Sequence, residues 1–347
     1  MTSGTIELVE RLAIARQAWP SAMTDDDIVQ AAKTGLDMAA QELTHASDQT
    51  RLALWNGYFR HLYARKASYQ FQDFEIVDYG LFASEKLGLL RGPELSTGAL
   101  ESGNYICLVG AAQFFGRLVP VSLQELIARR FGAPVLNLSF GGAGPQSFLD
   151  EDAALFLRRA KLVVVQVMSG RSIGCDEYPG GMSTRRKDTG ERVNRERLLV
   201  EQAQQEPREF TRLVEKWLKL YVEAYARIGA QIEGRSILVW MSKRRPKGWS
   251  IERGLAKKAL GTFPQMITAQ ALEAIKPHFT CYAECREPNK AFEFVSRFDG
   301  RPCPFVVGDG TLKWSTAYYP SAQTHQTAFE LVEPSIEKMM ASSRDRR

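Results

Sequence analysis

The stretch from Tyr105 to Leu149 constrains the fold more than any other part of the chain. Two short apolar runs, Ile106–Val109 and Val135–Leu138, each pass into a glycine-containing loop and then into a helical pattern. A strand covered on both faces reads as a continuous apolar run, because both of its faces meet other side chains. The same alternation continues downstream. Strands are expected at Leu162–Met168, Ser236–Met241 and His278–Glu284, with helices at Ser122–Arg130, Gln146–Arg159, Glu209–Arg227, Pro264–Ile275 and Ser321–Glu333. Short apolar strands separated by amphipathic helices, joined by right-handed crossovers, predict an α/β fold: a doubly wound, flavodoxin-like parallel sheet.

The 347 residues suffice for one such domain with additions. Residues 1–100 read as a helical N-terminal extension, with Thr24 capping an acidic first turn and apolar residues following at helical spacing. Residues 101–347 read as the α/β domain, with insertions at about 176–207 and 243–260. Both insertions follow strand ends, where ligands bind in such sheets. They read either as solvated loops or as lids and anion-binding walls, the second insertion being basic through Lys243, Arg244, Arg245, Lys247, Arg253, Lys257 and Lys258.

Composition limits the function classes. Forty-five basic residues stand against 40 acidic ones, a net charge of +5 that makes no case for nucleic acid. The first residues lack the basic start and long apolar run of an export signal, and no stretch reaches the ~18 apolar residues of a membrane span. The five cysteines are scattered, as expected of reduced thiols in a cytoplasm.

Four blocks at the expected strand ends carry a resemblance. They are Gly110-Ala111-Ala112-Gln113-Phe114-Phe115-Gly116, then Asn137-Leu138-Ser139-Phe140-Gly141-Gly142-Ala143-Gly144-Pro145, then Ser169-Gly170-Arg171-Ser172, and last Ser315–Pro320 followed by His325. Their order and spacing resemble the SGNH (GDSL-like) hydrolases over about Tyr105–Met340. The resemblance implies an SGNH-type sheet with an oxyanion-hole glycine at Gly142. It also implies a catalytic set that this chain lacks. Ala111 and Ala112 stand at the aspartate and serine positions of the first block. Ser172 stands at the asparagine position, Thr316 at the aspartate position and Tyr319 at the histidine position. Pro320 and His325 fit the last block. The combined pattern also resembles a bacterial domain family of unknown function, which brings no activity with it.

A methyl group at residue 112 cannot attack a carbonyl, and a phenol with a pKa near ~10 is a poor base at neutral pH. Conventional esterase chemistry is therefore not expected. The polar groups expected to converge are Gln113, Ser139, Gly142, Gly144 and Arg171 as ligand-binding residues, with Ser172, Tyr319 and His325 as candidates for catalysis. Each has a bland alternative. The glycines serve a tight turn, Arg171 forms a structural ion pair, and His325 bonds a helix start or a neighbouring loop.

Cys281, Cys285, Cys303 and His325 lack a known metal spacing and read as buried thiols rather than a zinc site, so neither metal nor cofactor is expected. Three functions stay open: atypical group transfer on an anionic or carbohydrate-linked substrate, an inactive ligand-binding protein, and a hydrolase with a relocated serine at Ser139, Ser169 or Ser172. The partner expected is a small molecule or glycan, and the N-terminal helices are compatible with a homo-oligomer.

Overall fold

The structure is a computed structural model that describes residues 73, 75–84, 87–176, 180–181, 183–186, 189–232, 234–246, 260–287, 291–303, 305–306 and 312–342. The expected N-terminal helices, and most of the basic insertion, lie outside the described residues. The chain divides into two compact units. The sheet unit comprises Leu95–Gly116, Val121–Pro288 and Ala322–Arg347, and the other comprises Met1–Glu94, Arg117–Pro120 and Asn289–Ser321.

The sheet unit is built on five parallel strands. They are β1 (Ile106–Val109), β2 (Val135–Asn137), β3 (Leu162–Gln166), β4 (Ser236–Ser242) and β5 (Cys281–Arg286), in the spatial order 2-1-3-4-5. All residues of β1 to β4 are buried, which explains their unbroken apolar runs. The strand order reverses between β1 and β3, and that switch point is where such sheets open a crevice.

The helices beside the sheet include α1 (Leu123–Phe131), α2 (Glu151–Arg159), α3 (Pro207–Ile232), α4 (Ala269–Ile275) and α5 (Ala322–Ser342). One core cluster joins Ile106, Leu108, Val164, Val239 and Met241 of the strands to Leu123 and Ile127 of α1 and to Phe329, Val332 and Ile336 of α5. Alternate strand residues point the other way, and α3 packs with α2 and α4. Capping chemistry sets the starts. Ser122 and Glu125 form a reciprocal capping box on α1, Asp150 accepts from the Ala153 amide, and Thr268 accepts from Ala271.

Four expected boundaries are corrected. The helix expected from Gln146 begins at Glu151, because Asp150 caps a new start after a 3₁₀ turn at Pro145–Phe148. The helix expected from Pro264 begins at Ala269 behind its Thr268 cap. Lys276–His278 continues the preceding helix as a 3₁₀ turn, so the strand expected from His278 begins at Cys281. The last helix passes Pro334 and runs to Ser342. The first insertion contains an antiparallel hairpin, Ser183–Arg185 with Arg192–Asn194, and a helix, Arg195–Gln205, that packs on α3.

Among the described residues, the other unit contains three short antiparallel strand pairings and an isolated bridge between Val295 and Pro302. Phe82–Ser84 pairs with Gly88–Leu90, Phe292–Glu293 with Ser315–Thr316, and Phe305–Val306 with Leu312–Lys313. Phe294 sits between Phe292 and Phe305, at ring separations of 6.3 and 5.2 Å. Beneath these strands lies a buried polar cluster. Asp73 receives a two-pronged contact from Arg117, at 2.8 and 3.1 Å, and a hydrogen bond from the Tyr79 hydroxyl at 3.0 Å. Tyr79 in turn accepts from the Leu118 amide at 2.9 Å. The Arg91 guanidinium donates to the carbonyls of Val119 and Pro120. Burial pushes the Asp73 carboxyl up, and the Arg117 charge pulls it back.

Candidate functional site

The strand ends of the sheet unit are stitched together around Gly110. A side chain there would place its first carbon 2.6 Å from Gln166 Oε1 and 2.7 Å from Phe114 Cβ, so the position admits only glycine. Gln166, the last residue of β3, reaches across the switch point and accepts the Ala111 amide at 2.8 Å. From the β2 side, the Phe140 amide donates to the Gly110 carbonyl at 3.3 Å. Asn137 Nδ2 donates to the Phe114 carbonyl and to Gln124 Oε1, and Asn137 Oδ1 accepts the Ser139 amide at 3.0 Å. This buried amide network fixes the loops after β1 and β2 relative to each other.

Two contacts bring in the loop after β3. A side chain at Gly144 would come within 2.8 Å of Ser172 Cβ, and Gln146 exchanges two hydrogen bonds with the backbone of Gly174. The Gly170 amide donates to the Gln265 carbonyl at 2.9 Å, which joins the loop after β4 to the same rim. Further support comes from α3. Tyr225 donates to the Gln166 carbonyl at 2.7 Å and accepts the Met168 amide, and Tyr221 donates to the Met168 carbonyl at 2.8 Å. Burial pushes both phenols above their ordinary range, so they act here as neutral donors.

Within this frame, Gln113 Oε1, Ser139 Oγ and Gln166 Nε2 are among the buried side-chain atoms that have no hydrogen-bond partner among the described residues. Gly142 takes a left-handed φ of 80°, which presents its amide without steric cost. The Gly144 amide donates to Ser147 Oγ at 3.3 Å.

The other expected residues have partners. Arg171 is paired with Glu196 at the start of the helix in the first insertion. Ser172 is buried in the 3₁₀ turn Gly170–Ser172, and its carbonyl accepts the Gly181 amide. His325 is fully buried on α5, and its Nδ1 accepts the Leu123 amide at 3.2 Å, at the first turn of α1. Tyr319 belongs to the other unit, where its hydroxyl accepts from Arg117 and its ring lies 4.9 Å from the guanidinium. Arg244, counted with the basic insertion, is also committed. Its guanidinium donates to the carbonyls of Thr262, Pro264 and Ile267 and stacks on Trp240 at 4.7 Å. Burial lowers it to about 10, so it is charged at neutral pH.

Sequence reasoning passed over Gln166, Gln265, Tyr221 and Tyr225. For Gln166 the signal was present: it is the only polar residue in the run Leu162-Val163-Val164-Val165-Gln166-Val167-Met168, and a lone amide in a buried strand needs a purpose. The tyrosines fall on the buried face of a long amphipathic helix, where aromatic spacing reads simply as core.

Residues 69–178 match a family described as a domain of unknown function, DUF6473. No curated protein matches the chain. Among solved structures, the chain is similar to a carbohydrate esterase family 2 enzyme with its carbohydrate-binding domain from Corynascus thermopiles (Myceliophthora fergusii). The identity is 12% over 73% of this chain and 70% of that one, with a TM-score of 0.34. It is also similar to the lipase Lip_vut3 from a goat rumen metagenome, at 11% identity over 67% of this chain and 96% of that one, with a TM-score of 0.34. A third is a protein of Slackia heliotrinireducens described as an SGNH hydrolase, at 13% identity over 67% and 98%, with a TM-score of 0.29. The fold class itself rests on the strand order and parallel pairing. Among the described residues, no helix is long and apolar enough to cross a membrane.

Proposed function

We propose that the strand-end site binds a small, neutral, polar ligand bearing hydroxyl or carboxamide groups, without hydrolysing it through a serine. The observation that carries this reading is the set of buried, unpartnered atoms around Gly110. Gln113 Oε1 can only accept, Gln166 Nε2 can only donate, and Ser139 Oγ can do both. Leaving a buried polar atom without a partner costs about 1–3 kcal/mol, so three together point to a partner that the chain does not itself supply. All three are uncharged. The arginines expected to attract an anion are engaged, Arg171 by Glu196 and Arg244 by backbone carbonyls. A neutral ligand is therefore favoured over an anionic one.

Serine chemistry needs a nucleophile bonded to a base. Ala112 occupies the position where the resembled family has its serine, His325 Nδ1 is taken by the Leu123 amide, and Ser139 Oγ has no base bonded to it among the described residues. The ligand class matches the glycan-type partner expected from the sequence. Five free thiols suit a reducing compartment.

Isothermal calorimetry with N-acetylglucosamine, which offers hydroxyls and an amide in one small molecule, tests the reading. Saturable binding is expected, with no comparable binding of phosphate or sulfate and no labelling by a fluorophosphonate probe. Tighter binding of phosphate, or labelling at any serine, would overturn it.

A further inference from the structure

Residues 260–268, after β4, are held chiefly through their carbonyls. Arg244 takes the carbonyls of Pro264 and Ile267 at 2.6 and 2.7 Å and that of Thr262 at 3.3 Å. The Ser242 hydroxyl donates to the Phe263 carbonyl at 2.6 Å, and the Met266 amide donates to the Leu260 carbonyl at 3.1 Å. These contacts hold Met266 at a φ of 68°, a left-handed conformation that costs a residue with a side chain about 1–3 kcal/mol and persists only where the surroundings over-determine it. The residue before it, Gln265, is buried, and its carbonyl receives the Gly170 amide. Its buried Oε1 has no partner among the described residues.

We infer that Gln265 is a further ligand-contacting residue, and that Arg244 is the positioning residue that presents it. The bond to Gly170 sets Gln265 against the turn whose Ser172 abuts Gly144, so it shares the rim of strand ends that carries Gln113, Ser139 and Gln166. With Gln265 included, the site has two amide oxygens that only accept and one amide nitrogen that only donates. That pattern calls for a ligand with at least two separate donors and an acceptor, as a polyol or an amide-bearing sugar has. This inference rests on the neutral-ligand reading above, and its test has an arm that does not need a ligand.

That arm is the thermal stability of Gln265→Met in the ligand-free protein. An apolar side chain of similar size removes a buried acceptor that has no partner, so the midpoint should rise by about 1–3 °C. An unchanged or lowered midpoint would mean that Gln265 is structurally satisfied, and would overturn the inference whatever binds to the wild type. In the second arm, affinity for N-acetylglucosamine should fall about tenfold or more in Gln265→Met. Arg244→Lys should lower it while raising backbone hydrogen exchange in residues 260–268, since a point charge cannot serve three carbonyls at once. Undiminished affinity in Gln265→Met would also overturn the inference. If the wild type binds no N-acetylglucosamine, the neutral-ligand reading fails, and the stability arm still decides the place of Gln265.

Discussion

In the unit that holds Asp73, each polar group of the buried cluster meets a complement. Arg117 grips Asp73 with two nitrogens, Tyr79 bonds Asp73 and the Leu118 amide, and Arg91 caps two carbonyls. At the strand ends of the sheet unit, Gln113, Ser139, Gln166 and Gln265 are equally buried and each leaves an atom unmatched among the described residues. The first group consists of charged and phenolic residues, for which burial without a partner is prohibitive. The second consists of neutral amides and a hydroxyl, for which it costs little enough to be tolerated. Buried polarity is matched internally in the first unit and left open at these four positions in the second, and the proposed ligand would supply the missing partners.

The contrast can be broken most forcefully at Arg117. Arg117→Met leaves Asp73 buried without its counter-charge and should cost about 3–5 kcal/mol, read as a drop in the urea midpoint. The penalty should shrink on acidification. Burial already raises the Asp73 carboxyl above its ordinary 3.8, and removing Arg117 raises it further. A group whose folded-state pKa is raised contributes stability that is fully present below the unfolded value and is lost as pH rises through the folded one. Urea midpoints of wild type and variant should therefore lie closer together near pH 4 than at pH 7. A gap independent of pH would remove Asp73 from the explanation.

A smaller loss is expected at Gly110. Gly110→Ala drives a carbon into Gln166 Oε1 and Phe114 Cβ and should cost about 1–3 kcal/mol, with weaker binding of N-acetylglucosamine because the Gln166 amide must shift. Full stability in that variant would show that the rim is looser than its contacts imply. The smallest effect belongs to Ser139. Removing a hydroxyl that has no partner should change stability by less than about 1 kcal/mol in Ser139→Ala, and in the favourable direction if at all. A clear loss of midpoint there would place Ser139 with the matched groups of the other unit and dissolve the contrast.

The strands were the most legible part of the chain. A strand between two helix layers has no solvent face, so Ile106–Val109 and Leu162–Val165 declare themselves as unbroken apolar runs. Caps at Ser122, Asp150 and Thr268 are equally local, since each side chain bonds an amide two or three residues on. The start of α4 is less legible: Thr268 caps it, and the carbonyls of Pro264 and Ile267 before it bond Arg244, some 20 residues upstream. The candidate site was half legible: Gln113, Ser139 and Gly142 came from block spacing, whereas Arg171 and His325 bear partners that no spacing reveals.

By itself, the sequence determined the layered parallel sheet and the loops at its carboxyl ends. These follow from periodicity and residue chemistry, which act over a few positions. Only the tertiary structure decided which polar side chains are matched. Arg171 meets Glu196, Arg244 meets the carbonyls of its own loop, and the Leu123 amide meets His325. Gln113, Ser139, Gln166 and Gln265 keep an atom open among the described residues. A hydrogen bond between residues far apart in the chain depends on angstrom-scale placement by the whole fold, and no local pattern encodes that distance.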